Sequence, residues 1–100
     1  MEEHTRNAKV FKAFCDEKRL KILELLRNGE KCVCFLAEEM KIGQSSLSYH
    51  MKILCESGVV DSRQDGKWTY YYLSENGCKY TSNLLTQITT PNVAKNTKNC

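Results

Sequence analysis

The sequence lacks the long apolar segments that export and membrane insertion require. Nowhere in its 100 residues do about eighteen apolar residues occur consecutively, and its first residues contain no apolar stretch of the signal-peptide kind. A polybasic tail is also missing, because 15 Lys and Arg residues against 12 Asp and Glu residues leave a net charge of only +3. We therefore expect a cytoplasmic protein with no membrane partner. Any binding of nucleic acid must depend on where its charges lie, not on how many there are.

Cysteine, by contrast, is abundant. The 6 cysteines lie at positions 15, 32, 34, 55, 78 and 100, and an even number would suit a disulfide framework in a secreted domain. Because we expect no export, that interpretation is disfavoured. In a reducing cytosol, clustered thiols are typical of metal ligands or redox sensors.

The spacing of apolar residues predicts a mainly helical first half. A turn at residues 42–44 separates two predicted helices in the manner of a helix-turn-helix unit, and Gly29 and Gly58 follow helices as stop signals. The four expected helices cover residues 7–15, 20–26, 34–40 and 44–56.

Beyond Gly58 the pattern changes to the period of strands. Asp65-Gly66 is a strong hairpin-turn dipeptide, because glycine accepts the positive φ that such turns need, and the aromatic run over residues 68–73 favours a strand. We expect a two-stranded wing, then a last helix that begins after Ser74 and ends before Pro91. The fold class is therefore mainly α with a β-hairpin wing. It is a winged helix-turn-helix domain over residues 1–90, expected to be dimeric, with a flexible tail over residues 91–100.

The helix after the turn carries short polar side chains of the kind that read base edges in a major groove. Two cations flank the turn of the wing, where they could contact phosphate or a minor groove. The alternatives are an ordinary solvated helix with Ser and Gln as caps, surface cations that serve solubility, and a packing role for the histidine. The predicted DNA-binding residues are Gln44, Ser45, Ser46, Ser48, Tyr49, His50, Lys52, Arg63 and Lys67.

Cys32 and Cys34 form the pair of soft ligands nearest this helix. Residues two apart point in opposed directions in a helix but in the same direction in an extended segment. We predict that the pair lies where a short strand gives way to a helix beginning near Cys34. This position lets the sulfurs converge, and the helix N-terminus favours the thiolate. The alternative is that both are small buried hydrophobic residues.

Three stretches of the chain resemble the ArsR/SmtB family of winged-helix metalloregulators. Residues 11–20 are similar to F-K-A-L-x-D-x-x-R-L, residues 30–36 to the metal box E-L-C-V-C-D-L, and residues 44–73 to the family's recognition helix and wing, including S-x-H-L and W-x-x-Y-x-L. The resemblance implies a homodimer that represses by binding double-stranded operator DNA and that leaves DNA when an ion binds Cys32 and Cys34. It departs from the arsenic-type pattern at Ala37, where a third cysteine is common, and at Phe35, where an acidic residue is usual.

The same resemblance suggests trivalent arsenic or antimony as inducer. A cadmium or lead sensor would carry cysteines before Cys15, and a zinc sensor would carry His and Asp ligands on the last helix, which has none over residues 76–90. Zinc, cadmium and lead are therefore less favoured. Two sulfurs do not complete a site for such ions. The candidates for a further ligand are Cys15, Cys55, Cys78, Cys100, His4, a partner subunit or an exogenous thiol.

Two other functions stay open at this point. A repressor of the same fold could sense thiol oxidation or persulfide. A small thiol enzyme or metal carrier is the alternative from another class. It is weakened because neither His nor Asp lies beside the thiols in sequence, and we expect no enzymatic activity.

Overall fold

The computed structural model describes residues 2–92, in which helices pack against the root of a small antiparallel sheet. The order of elements confirms the predicted winged arrangement. None of the helices in this range is long and apolar enough to cross a membrane. Of the tail predicted over residues 91–100, residues 93–100 lie outside the described part. The elements are α1 (Glu3–Lys12), α2 (Glu17–Leu26), β1 (Lys31–Cys32), α3 (Val33–Met40), α4 (Gln44–Glu56), β2 (Val60–Asp65), β3 (Trp68–Leu73) and α5 (Glu75–Ile88).

The first helix differs from its predicted bounds at both ends. It covers Glu3–Lys12 instead of residues 7–15. Its last predicted turn is replaced by a tighter one, in which the N–H of Phe14 donates to the carbonyl of Phe11 at 3.0 Å. The carboxylate of Asp16 then caps α2 by accepting from backbone N–H groups, among them that of Arg19 at 3.3 Å. This cap, which apolar spacing does not reveal, starts α2 at Glu17 instead of at the predicted residue 20.

The sheet has three strands, and the prediction of a two-stranded wing was therefore incomplete. β1 pairs with the second edge of β3, with Cys32 opposite Tyr70, so the strand order is β1-β3-β2. The hairpin itself forms as predicted, and Gly66 has a φ of 65° at its turn. A pairing of two residues leaves no periodic signal in the sequence. It forms because the open edge of β3 offers unpaired backbone groups to the segment beside it.

The core lies between the helices and the root of the wing. The recognition helix α4 supplies its centre, and Ile22 and Leu26 of α2 pack there from one stripe of their helix. Leu20, the first residue of the predicted helix 20–26, is 50% exposed because it lies about 200° around the helix from Ile22. The buried cluster consists of Ala13, Ile22, Leu26, Leu36, Leu47, Met51, Leu54, Val59 and Val60.

α5 lies against the turn that joins α4 to β2. A Cβ on Gly77 would lie 1.7 Å from the carbonyl oxygen of Gly58, so only glycine permits this approach. The N–H of Ser74 donates to the carbonyl of Val59 at 2.8 Å, and the thiol of Cys78 approaches the same oxygen at 3.7 Å. These contacts attach the last helix to the root of the wing.

Candidate nucleic-acid interface and thiol site

α4 presents its polar side to solvent. Its apolar residues Leu47, Met51 and Leu54 are buried, and Tyr49 on the other side is 58% exposed. The N-cap residue is Gly43, which has no side chain with which to cap the helix, so the Ser and Gln side chains do not serve as its N-cap. The exposed side of α4 can therefore enter a groove of DNA. Its predicted contact residues that lie exposed are Gln44, Ser45, Ser46, Ser48, Tyr49 and Lys52.

His50 is the exception on this helix, because it lies in the interior with 7% of its surface exposed. Arg19 donates from Nη1 to the Nδ1 atom of His50 at 2.9 Å, and from Nη2 to the carbonyl of Lys12 at 3.0 Å. A guanidinium can only donate, so Nδ1 is the acceptor and the imidazole is neutral, with its proton on Nε2. Burial lowers the pKa of His50, which agrees with the neutral form. The carboxylate of Asp16, 3.9 Å from Nδ1, is too far away to hydrogen bond.

The structure therefore favours the packing role that the sequence left open for His50. The contact attaches the recognition helix to the corner between α1 and α2. Sequence reasoning had assigned no role to Arg19, although a signal was present. Arg19, Ile22 and Leu26 share one stripe of α2, so a cation stands in line with two core residues and is itself only 5% exposed.

The two cations of the wing have different surroundings. Arg63 donates from Nε and Nη2 to the two carboxylate oxygens of Glu30, at 2.6 and 2.8 Å, and its guanidinium lies 4.6 Å from the centre of the Tyr70 ring. The hydrogen bond from Arg63 lowers the pKa of Glu30. Lys67 is exposed at the turn, with Nζ 5.4 Å from the centre of the Trp68 ring. One predicted contact residue is thus already paired, to a glutamate that sequence reasoning had not singled out.

Cys32 and Cys34 lie at the predicted junction of strand and helix. Cys32 ends β1 and is the N-cap of α3, with φ −72° and ψ 148°. The helix begins at Val33, one residue before the predicted start. The two Sγ atoms are 2.9 Å apart, and the backbone N–H of Cys34 donates to Sγ of Cys32 at 3.4 Å. The predicted convergence of the sulfurs is confirmed.

The two thiols differ in acidity. The hydrogen bond from the Cys34 thiol lowers the pKa of Cys32, and the same contact raises the pKa of Cys34. The backbone N–H of Cys34 also points at Sγ of Cys32, so this site favours the thiolate at Cys32, the form of cysteine that binds metals and attacks electrophiles. Cys34 is exposed and Cys32 is half-buried, so neither is the small buried hydrophobic residue of the alternative interpretation.

The donor set fits a thiophilic ion. Bonds between zinc and thiolate sulfur are about 2.3 Å long, and sulfurs 2.9 Å apart are close enough to reach one such ion. Between residues 2 and 92, the His, Cys, Asp and Glu side chains form no group of three or more that could hold a metal. Cys15, Cys55, Cys78 and His4 thus do not join the pair in such a group within one chain. Cys100 lies outside the described residues.

Comparison with known proteins places these features in a family. The profile described as "Bacterial regulatory protein, arsR family" matches residues 16–62. The chain is 39% identical over 89 residues to an uncharacterized HTH-type transcriptional regulator of Methanocaldococcus jannaschii, a match that covers 88% of this chain and 100% of that protein. It is 37% identical over 81 residues to the arsenical resistance operon repressor of Staphylococcus xylosus, which covers 81% of this chain and 78% of that protein.

A solved structure agrees with the sequence relatives. The crystal structure of a "possible transcriptional regulator for arsenical resistance" superimposes with a TM-score of 0.73 at 28% identity, over 90% of this chain and 98% of that one. These similarities confirm the resemblance drawn from the three motifs. The relatives are regulators of transcription, which argues against the thiol enzyme. The chain belongs to the ArsR family of winged helix-turn-helix, DNA-binding transcriptional repressors.

Proposed function

We propose that this protein is a homodimeric repressor that leaves its operator when trivalent arsenic or antimony binds Cys32 and Cys34. The observation that carries the proposal is the 2.9 Å contact between two accessible sulfurs at the start of α3. α3 is the first helix of the helix-turn-helix unit, and α4 is the second. Trivalent arsenic and antimony bind soft thiolate ligands, and the Staphylococcus xylosus relative is an arsenical resistance repressor.

Operator binding is assigned to the exposed side of α4 and to the tip of the wing. The polar residues of α4 occupy its first turns, the part of a recognition helix that contacts base edges. Lys52 and Lys67 are exposed cations that can meet phosphate on either side of those contacts. His50 acts indirectly, because its bond to Arg19 sets the position of α4 on the domain.

A second copy of this chain is the proposed occupant of an apolar surface formed by α2 and α5. Leu20, Leu85 and Ile88 are 50%, 51% and 59% exposed. Leu20 and Leu85 also line an open groove of about 700 Å³ together with Phe14 and Leu23. A single chain of this size buries a limited core, so covering these residues would stabilise it. A dimer also places two recognition helices about 34 Å apart, one turn of DNA.

The release mechanism uses the close packing of the helix-turn-helix unit. Leu36 of α3 and Leu47 of α4 are fully buried in the same cluster, and a short turn with Lys41 at a φ of 56° joins the helices. Close-packed elements move together because the core between them does not deform gradually. Restraining Cys32 and Cys34 at the start of α3 therefore shifts α4 relative to its partner in the dimer. The spacing that matches one turn of DNA is then lost.

Operator binding with and without arsenite tests this function. The duplex upstream of the protein's own gene is labelled, and affinity is measured by fluorescence anisotropy under reducing conditions. Arsenite should weaken binding by about tenfold or more, the usual range for coupling between sites. Cys32→Ser and Cys34→Ser should still bind the operator but no longer respond. Cys15→Ser removes an exposed thiol away from the pair and serves as the matched control. Release that persists in both variants of the pair would disprove the assignment.

The same contact favours a second candidate, in which the pair senses oxidants. Two thiols in contact can form a disulfide by giving two electrons and two protons to hydrogen peroxide, which becomes two molecules of water. The lowered pKa of Cys32 favours the attacking thiolate. Mass spectrometry after mild peroxide treatment separates the candidates. A loss of about two mass units together with weaker operator binding supports sensing of oxidants.

A further inference from the structure

We propose that Glu30 competes with DNA phosphate for Arg63, and that this exchange connects the thiol pair to the wing. The connection rests on the proposed function, because it requires that Cys32 and Cys34 bind an inducer. The exchange itself concerns only the wing and DNA, so it can be tested without an inducer.

Arg63 cannot form the same two-pronged hydrogen-bond contact with Glu30 and with a phosphate at the same time. Its Nε and Nη2 atoms form a two-pronged contact with the carboxylate of Glu30, at 2.6 and 2.8 Å. Arginine binds phosphate through the same pair of parallel hydrogen bonds. Nη1 lies 3.9 Å from the carboxylate of Asp65, too far for a hydrogen bond. A two-pronged contact with DNA through this edge therefore requires that Arg63 leave Glu30.

The pair lies on the surface, which makes such an exchange easy. The side chains of Arg63 and Glu30 are 48% and 33% exposed. Exposed ion pairs contribute little to folding because water and salt screen them. The guanidinium lies over the ring of Tyr70, a contact that can hold it near the same place when it changes partner.

One short segment of chain carries both the thiols and the partner of Arg63. Glu30 immediately precedes β1, and Cys32 ends it. Across the sheet, Cys32 is opposite Tyr70, and Tyr70 is opposite Arg63. Two contacts thus connect the wing to residues 30–34, the segment that carries the thiols. One is the backbone pairing of β1 with β3, and the other is the Arg63–Glu30 contact. β1 has only two residues, so the pairing that holds this segment is short.

These contacts define a two-state element with Arg63 on Glu30 in the free protein and on phosphate in the complex. An ion held by Cys32 and Cys34 restrains the segment that carries Glu30, and thereby favours the state in which Arg63 stays on Glu30. Linkage makes the effect reciprocal, because DNA that removes Arg63 from Glu30 releases the same segment. The wing then contributes to release alongside the displacement of α4.

Glu30→Gln tests the exchange, because it removes the charge and keeps the shape. Arg63 then no longer has to leave Glu30 when DNA binds, so operator affinity should rise several-fold. Arg63→Gln removes the phosphate contact itself and should flatten the slope of log affinity against log salt by about one unit. Glu56→Gln is the matched control, because it removes the same charge at the C-terminal end of α4, away from the polar first turns. It should leave operator affinity close to that of the parent. In an Arg63→Gln background, Glu30→Gln should have no effect on operator affinity. An operator affinity of Glu30→Gln equal to that of Glu56→Gln, or a salt slope of Arg63→Gln equal to the parent's, overturns the exchange.

Arsenite tests the connection to the thiols. Glu30→Gln should bind arsenite with the parent's stoichiometry, read by mass spectrometry, but arsenite should weaken its operator binding by several-fold less than in the parent. An arsenite response equal to the parent's overturns the connection. If arsenite releases no operator even from the parent, the proposed function fails, and the operator affinity of Glu30→Gln measured without arsenite still decides the exchange.

Discussion

Gly77→Ala tests whether α5 packs on the root of the wing as the structure shows. The added Cβ would lie 1.7 Å from the carbonyl oxygen of Gly58 and 2.5 Å from its carbonyl carbon. Both are backbone atoms, so they cannot rotate away as the end of a side chain would. Relieving the contact to 3.0 Å requires a movement of about 1.3 Å, the difference between 3.0 and 1.7 Å. A movement of this size also disturbs the 2.8 Å bond from the N–H of Ser74 to the carbonyl of Val59.

Two opposing effects set the magnitude. Overpacking typically costs about 1–3 kcal/mol, and a clash with backbone belongs at the upper end of that range. Alanine is better than glycine inside a helix by about 1 kcal/mol, which offsets part of the cost. We expect a net loss of about 2 kcal/mol in the free energy of unfolding, and about 4–8 °C in melting temperature for each kcal/mol in a domain of this size.

Urea denaturation followed by circular dichroism measures the loss, at one protein concentration for all variants. Asn76→Ala is the matched control, because it is exposed and one residue earlier in the same helix. It should change stability by no more than about 0.5 kcal/mol. A Gly77→Ala protein as stable as the parent would show that α5 does not approach Gly58 this closely.

Two further predictions concern titratable groups. The pKa of His50 is lowered from 6.5 in the folded protein. Below pH 6.5 the unfolded state therefore binds more protons than the folded state, so stability should fall as the pH drops below 6.5. His50→Gln should reduce this pH dependence in thermal melts, and an unchanged dependence would contradict the buried neutral imidazole bonded to Arg19. The lowered pKa of Cys32 and the raised pKa of Cys34 predict that iodoacetamide modifies Cys32 first, although Cys34 is more exposed. Peptide mass spectrometry after brief labelling reads the order, and faster modification of Cys34 would reverse the assignment of the thiolate.

The amino-acid sequence by itself determined the order of elements and the position of the thiol pair. Helical spacing around Leu47 and Met51, glycine stops and the Asp65-Gly66 turn are local signals, because each acts within a few residues along the chain. The spacing of Cys32 and Cys34 at a change from strand to helix was local in the same sense. These signals predicted the convergence of the sulfurs that the structure shows. The helix bounds did not follow from apolar spacing, because α1 ends at Lys12 and the Asp16 cap starts α2 at Glu17.

Tertiary structure alone decided which distant residues meet. Arg63 and Glu30 are 33 positions apart, and Arg19 and His50 are 31 positions apart, so no local pattern pairs them. β1 joins the sheet because folding brings it to the open edge of β3. The pairing of side chains depends on how helices and strands pack in space. For that reason the surroundings of His50 and Arg63, both predicted from sequence as direct DNA contacts, became visible only in the folded chain.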